Sequence, residues 1–114
     1  MQEDVPALCG AFLFCRQALL TELAQGMSNK NNVFDPDFFL YKEDIELCLR
    51  IRKLGWRLVY NPSIQVYHCR GWQKERQQVP YQQRLTAARS ELILYKKHPS
   101  LYILWAVFKY LLVR

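Results

Sequence analysis

At 114 residues, 51% hydrophobic and 14% aromatic, the chain is long and apolar enough for one packed core, which excludes disorder as its main state. The formal charge of +6 suits phosphate-bearing partners, and it is unevenly placed: residues 1–69 carry 7 Lys/Arg against 8 Asp/Glu, residues 70–114 carry 9 against 2. The longest apolar run, Leu101–Val113, is broken only by Lys109 and falls short of the about 20 residues of a spanning helix.

Cys9, Cys15, Cys48 and Cys69 form no C-x-x-C pair, and the chain opens without the pattern of a secretory signal. Reduced thiols in a cytoplasmic protein are expected. A Cys9–Cys15 bridge is disfavoured, because residues six apart on a strand lie roughly 20 Å from each other.

In chain order, Ala7–Cys15 reads as a strand, with Gly10 marking either a bulge or a close backbone approach. A short helix is expected over Arg16–Ala24, then a polar loop over Gln25–Asn32 and a turn at Phe34-Asp35-Pro36-Asp37. From Asp44 to Leu54 the apolar residues Leu47, Cys48, Ile51 and Leu54 recur at helical spacing, with Gly55 where a C-terminal cap belongs. Trp56–Tyr60 and Ile64–His68 alternate as two short strands around the turn Asn61-Pro62-Ser63. Arg70–Val79 is basic and unpatterned, a mobile loop or disordered. A helix over Pro80–Lys97 follows, with Tyr81, Leu85, Ala88, Leu92 and Tyr95 on one stripe. His98-Pro99-Ser100 breaks it, and Leu101–Arg114 forms a last apolar helix.

Chemistry concentrates between Phe34 and Arg50. Glu43, Asp44 and Glu46 sit in the first turn of the central helix, where the macrodipole and free N–H groups favour ionised acids. Asp44 shares a face with Leu47, Cys48 and Ile51, so its carboxylate leans toward the packed side, a setting that makes it a general-base candidate. Simple capping acids would show the same spacing, and Glu46 with Arg50 fits an ordinary i,i+4 ion pair.

The run Phe34-Asp35-x-x-Phe38-Phe39-x-Tyr41-x-Glu43-Asp44-x-Glu46-Leu47-Cys48-x-Arg50 continues into Gly55-Trp56-Arg57-Leu58-Val59-Tyr60-Asn61-Pro62 and Val66-Tyr67-His68. It resembles the C-terminal, acceptor-side half of family 2 inverting glycosyltransferases, and is most similar to bacterial rhamnosyltransferase-like enzymes of cell-envelope polysaccharide synthesis. Cys9-Gly10-Ala11-Phe12-Leu13-Phe14-Cys15-Arg16 matches the small-residue strand that precedes this motif in the family. The resemblance covers about residues 7–70 and a helical tail.

The resemblance implies an α/β fold, the C-terminal portion of an A-type glycosyltransferase fold with a short mixed sheet, helices and C-terminal helices. Residues 1–79 would be the acceptor-side half and 80–114 a basic amphipathic tail. It also implies transfer of a sugar from a nucleotide-sugar donor to a saccharide or lipid-linked acceptor. Asp44 would be the catalytic base and Glu43 its supporting neighbour. Because a carboxylate of pKa about 4 is a weak base for a sugar hydroxyl, a Mg or Mn ion on the departing diphosphate would supply much of the driving force.

His68 corresponds to a position that in some members helps hold the cation; a hydrogen-bonded core histidine fits equally. Gly10 and Ala11 match the place where small residues leave room for sugar. Tyr41 is the foremost of several aromatics suited to stack on a sugar ring or to fill a core, and Arg50 is a further substrate-contact candidate. The family's donor half, with its metal-binding D-x-D, has no counterpart here. Asp35-Pro36-Asp37 aligns with the acceptor-side turn and is rejected as that motif, so the chain reads as a fragment.

In the tail Arg84, Arg89, Lys96, Lys97, Lys109 and Arg114 accompany Tyr102, Trp105 and Tyr110. This pattern suits either an element lying on an anionic membrane, on the inner face of which the enzyme would be peripheral, or helices packed on the domain with a solvated basic side. Nucleic-acid binding is not expected, for want of any recognition motif. The rival reading is a catalytically inactive fragment that binds a membrane or a partner.

Overall fold

The structure, a computed structural model, describes residues 1–27, 32–68 and 79–114. The elements are β1 (Glu3–Asp4), α1 (Gln17–Gln25), α2 (Glu43–Lys53), β2 (Val59–Tyr60), α3 (Tyr81–Lys97) and α4 (Tyr102–Val113). They fall into two units, Met1–Asp35 with Asp44–Trp72, and Pro36–Glu43 with Gln73–Arg114.

In the first unit Leu19 and Leu23, one turn apart on α1, meet Leu47, Cys48 and Ile51 of α2 and Leu58, forming the buried core. Each such aliphatic side chain contributes about 1.5–3 kcal/mol on burial. Helix α2 stops where the sequence says it should. Gly55 takes φ +83°, its N–H bonds to Arg52 O at 3.0 Å, and the Trp56 N–H reaches back to Ile51 O at 3.2 Å. This is a Schellman ending, and Trp56, thereby turned inward, packs against the core. The Asn61 turn also forms, with Asn61 Oδ1 accepting from Ser63 N at 3.0 Å.

The sheet differs from expectation. Among the described residues only β1 and β2 pair, antiparallel, with Glu3 opposite Tyr60 and Asp4 opposite Val59, and Arg57 joins Asp4 through two 2.9 Å bonds. Ala7–Cys15 is not a strand: it turns at Gly10-Ala11, and the N–H groups of Leu8 and Gly10 are taken by side chains of α2 instead of a neighbouring strand. Ile64–His68 forms no ladder among the described residues, and its side chains are exposed. Parts of the polar loop at 28–31 and most of the basic segment, 70–78, lie outside the described residues, as does Cys69; Cys9, Cys15 and Cys48 are free thiols.

The second unit is a helical hairpin with the 36–43 segment beside it. Contacts Tyr95–Tyr102, Glu91–Lys109 and Tyr81–Arg114 run in opposite directions along α3 and α4, so the helices are antiparallel. The buried alanines Ala88 and Ala106 keep each helix narrow on one side. The inward residues of α3 are not simply the expected stripe: Ala88 is buried, but so are Ser90 and Leu94. Helix α3 has neighbours on two sides, for the Ser90 hydroxyl also donates to Leu40 O at 2.7 Å, and Lys97 pairs with Asp37 and lies over the Phe38 ring.

Candidate active site

Asp44, in the first turn of α2, is half-buried, and both of its carboxylate oxygens are engaged by backbone. The Gly10 N–H donates to Oδ2 at 3.0 Å and the Ile45 N–H to Oδ1 at 2.8 Å. The carboxylate therefore has a fixed direction while remaining within reach of solvent. Two successive non-glycine residues in left-handed conformation, Tyr41 (φ 67°) and Lys42 (φ 69°), lead into this helix start. Such backbone costs about 1–3 kcal/mol per residue and is concentrated where a side chain must be placed.

Gly10 is a glycine for a reason the sequence left open. A Cβ there would lie 3.2 Å from Asp44 Cβ. The close approach is thus to Asp44 itself, and the room over Gly10 that the resemblance assigned to sugar is filled by this aspartate. One turn further along α2, the Cys48 thiol accepts from Leu8 N at 3.3 Å and faces Leu8 O at 3.8 Å. Burial, aided by the charge of Asp44 and opposed by the Leu8 contact, pushes the Cys48 thiol above its ordinary pKa. Asp44 and Cys48 together fasten the 8–10 segment along α2. Their i,i+4 spacing was visible in the sequence, but the part played by Cys48 was not, since a lone thiol on an apolar face reads simply as core.

Arg50 is turned elsewhere. Six residues on from Asp44 it lies about 240° around the helix, where Nε bonds both Glu46 oxygens at 2.9 Å and Nη2 bonds Val33 O at 2.7 Å. The i,i+4 ion pair is the arrangement seen, with Glu46 only 2% and Arg50 18% exposed. Ala11 is exposed beside Gly10, and Glu43, which opens α2, has Oε2 buried without a hydrogen-bond partner. Tyr41 belongs to the other unit, with its hydroxyl 3.5 Å from Gln83 Oε1.

His68 is exposed in the irregular segment after β2. Among the described residues no group of three or more His, Cys, Asp or Glu could hold a metal ion. Asp37, of the Asp35-Pro36-Asp37 turn, is paired with Lys97. The donor set described does not fit a divalent cation.

Comparison with known proteins gives short, local matches. The chain is 49% identical over 37 residues to the rhamnosyltransferase WbbL of Escherichia coli K12, covering 32% of this chain and 14% of that protein. It is 49% identical over 35 residues to an N-acetylglucosaminyl-diphospho-decaprenol L-rhamnosyltransferase of Mycobacterium tuberculosis, covering 31% of this chain and 11% of that protein. The match thus spans about a seventh or less of the length of these curated relatives. No family model and no solved structure matches the chain. What the chain shares with rhamnosyltransferases is a short stretch of sequence, and that stretch marks it as glycosyltransferase-related.

Proposed function

We propose that this chain supplies the acceptor-activating part of an inverting glycosyltransferase of the family 2 type, which moves a sugar, of the rhamnose class, from a nucleotide-sugar to a saccharide or lipid-linked acceptor of the cell envelope. The observation that carries the reading is the double backbone clamp on Asp44. Asp44 takes the proton of the acceptor hydroxyl as that oxygen attacks the anomeric carbon; the new C–O bond forms on the face opposite the departing nucleoside diphosphate, and the configuration inverts. Gly10 holds the carboxylate in line, and Glu43, the preceding residue in the chain, is its supporting neighbour. The site works at the cytoplasmic face of the membrane.

The test is a transfer assay on the native full-length gene product, with nucleoside-diphosphate sugars and a prenyl-diphosphate-linked acceptor. One donor, of the rhamnose class, is expected to give a product of inverted anomeric configuration. A retained configuration would overturn the reading. A second reading, a catalytically inactive module that binds a membrane, draws on the exposed apolar side of α4; absence of transfer with every donor, together with vesicle binding, would favour it.

A further inference from the structure

Helix α4 places one side against α3 and leaves the other open. Ala106, fully buried, marks the inner side, with Ile103, Tyr110 and Val113 half-buried along it. On the outer side Leu101, Leu104, Trp105, Phe108, Leu111 and Leu112 are exposed, Leu104 by 72% and Leu112 by 70%. The one charge within the helix, Lys109, pairs with Glu91 and lies over the Trp105 ring at the border of this side. A hollow of about 640 Å³ lined by Ser100, Leu101, Tyr102, Leu104 and Trp105 opens at its start. Solvated protein surfaces rarely hold an uncharged apolar stripe of this length without an occupant.

Charge selects the occupant. From residue 79 onward six Lys/Arg stand against the single acid Glu91, and two of them are paired, Lys109 with Glu91 and Lys97 with Asp37. Arg89 and Lys96, seven residues apart on one side of α3, are exposed. Twelve residues give a helix of about 18 Å, too short to cross a bilayer, and among the described residues no helix is long and apolar enough to do so. An apolar helix face on a hairpin of net positive charge, with Trp and Tyr near the helix start, matches an interfacial element.

We propose that the outer side of α4 lies in the surface of an anionic lipid bilayer, with Leu104, Phe108, Leu111 and Leu112 entering the acyl boundary and the cations of the hairpin meeting the headgroups. This surface is independent of the catalytic reading and stands even if Asp44 proves inert.

The 114-residue chain is floated with vesicles of phosphatidylcholine, with and without phosphatidylglycerol. Flotation is expected with the anionic vesicles and should weaken, without vanishing, as salt rises, since burial of apolar groups is not screened. Leu104→Glu with Leu112→Glu alters only exposed positions and should keep the helical circular dichroism while reducing bound protein at least tenfold. Arg89→Gln with Lys96→Gln should lower binding to anionic vesicles by about fivefold per residue, the effect of about 1 kcal/mol per cation near such a surface, and leave the residual binding to neutral vesicles unchanged. Sedimentation of the lipid-free chain is measured in parallel. Failure to float at low salt overturns the proposal. Flotation unaffected by the glutamates does so too, as does a lipid-free dimer that those glutamates dissociate when no flotation is seen.

Discussion

The two units solve opposite problems. Around α2 charge is taken inside: Glu46 is nearly sealed, its partner Arg50 is largely covered, and Asp44 is held by two backbone donors. Around α4 the apolar residues are outside, and the buried position goes to an alanine. Burial in the first unit fixes the direction of polar groups; exposure in the second leaves apolar area for something other than the chain's described part. Hydrophobicity alone is therefore a poor guide to the interior here. The charged Glu46 lies deeper than any leucine at the outer side of α4.

The sharpest way to break this contrast is to strand one member of the buried pair. Glu46→Ala should cost about 3–5 kcal/mol, because Arg50 is then left covered and uncompensated, whereas replacing both by Met and Leu should cost much less; urea unfolding of the two variants measures the difference. Next in size, Ile51→Ala in the α2 core should lose about 2–5 kcal/mol. The chemically similar Leu112→Ala should remain within about 0.5 kcal/mol of the parent, as a surface change does. Equal losses at the two positions would show that α4 is packed in solution.

Gly10→Ala comes third. Its Cβ would press on Asp44 Cβ, and forcing the two segments apart should cost about 1–3 kcal/mol, with transfer activity falling along with stability. The smallest effect concerns Cys48. Alkylation near neutral pH should modify the exposed Cys9 quickly and Cys48 slowly. Because the folded-state pKa of Cys48 is raised, its stabilising contribution is complete below the ordinary thiol value and declines as pH rises past it, where the unfolded chain ionises first. Cys48→Ser should flatten that alkaline decline in thermal unfolding.

Elements with local signals were legible in the sequence. Leu47, Cys48, Ile51 and Gly55 define α2 and its ending by spacing alone, and Asn61-Pro62-Ser63 sets its own turn. The strand expected at Ala7–Cys15 was not, because whether an extended segment joins a sheet depends on the partner its N–H groups find, and here they find Asp44 and Cys48 from 34 and 40 residues away. The pair Glu3-Asp4 has no apolar alternation and gave no warning of β1. In the site, the motif singled out Asp44 and Gly10, and the structure puts them in contact. The spacing of Glu46 and Arg50 already allowed the ion pair, but the carbonyl of Val33 that holds Arg50 could not be read from any window of sequence.

The central claim is that the clamped carboxylate of Asp44 is a base and not a helix cap. Asp44→Asn keeps the size of the side chain and one oxygen for the Gly10 N–H, gives up the acceptor of the Ile45 N–H, and removes the ability to take a proton. In the full-length native enzyme, steady-state transfer should fall by about 10²-fold or more, with the KM for the nucleotide-sugar close to that of the parent and stability lowered by no more than the about 1 kcal/mol of one lost hydrogen bond. Turnover near that of the parent, or a loss of turnover accompanied by an equal collapse in stability, would contradict the claim and leave Asp44 a capping residue.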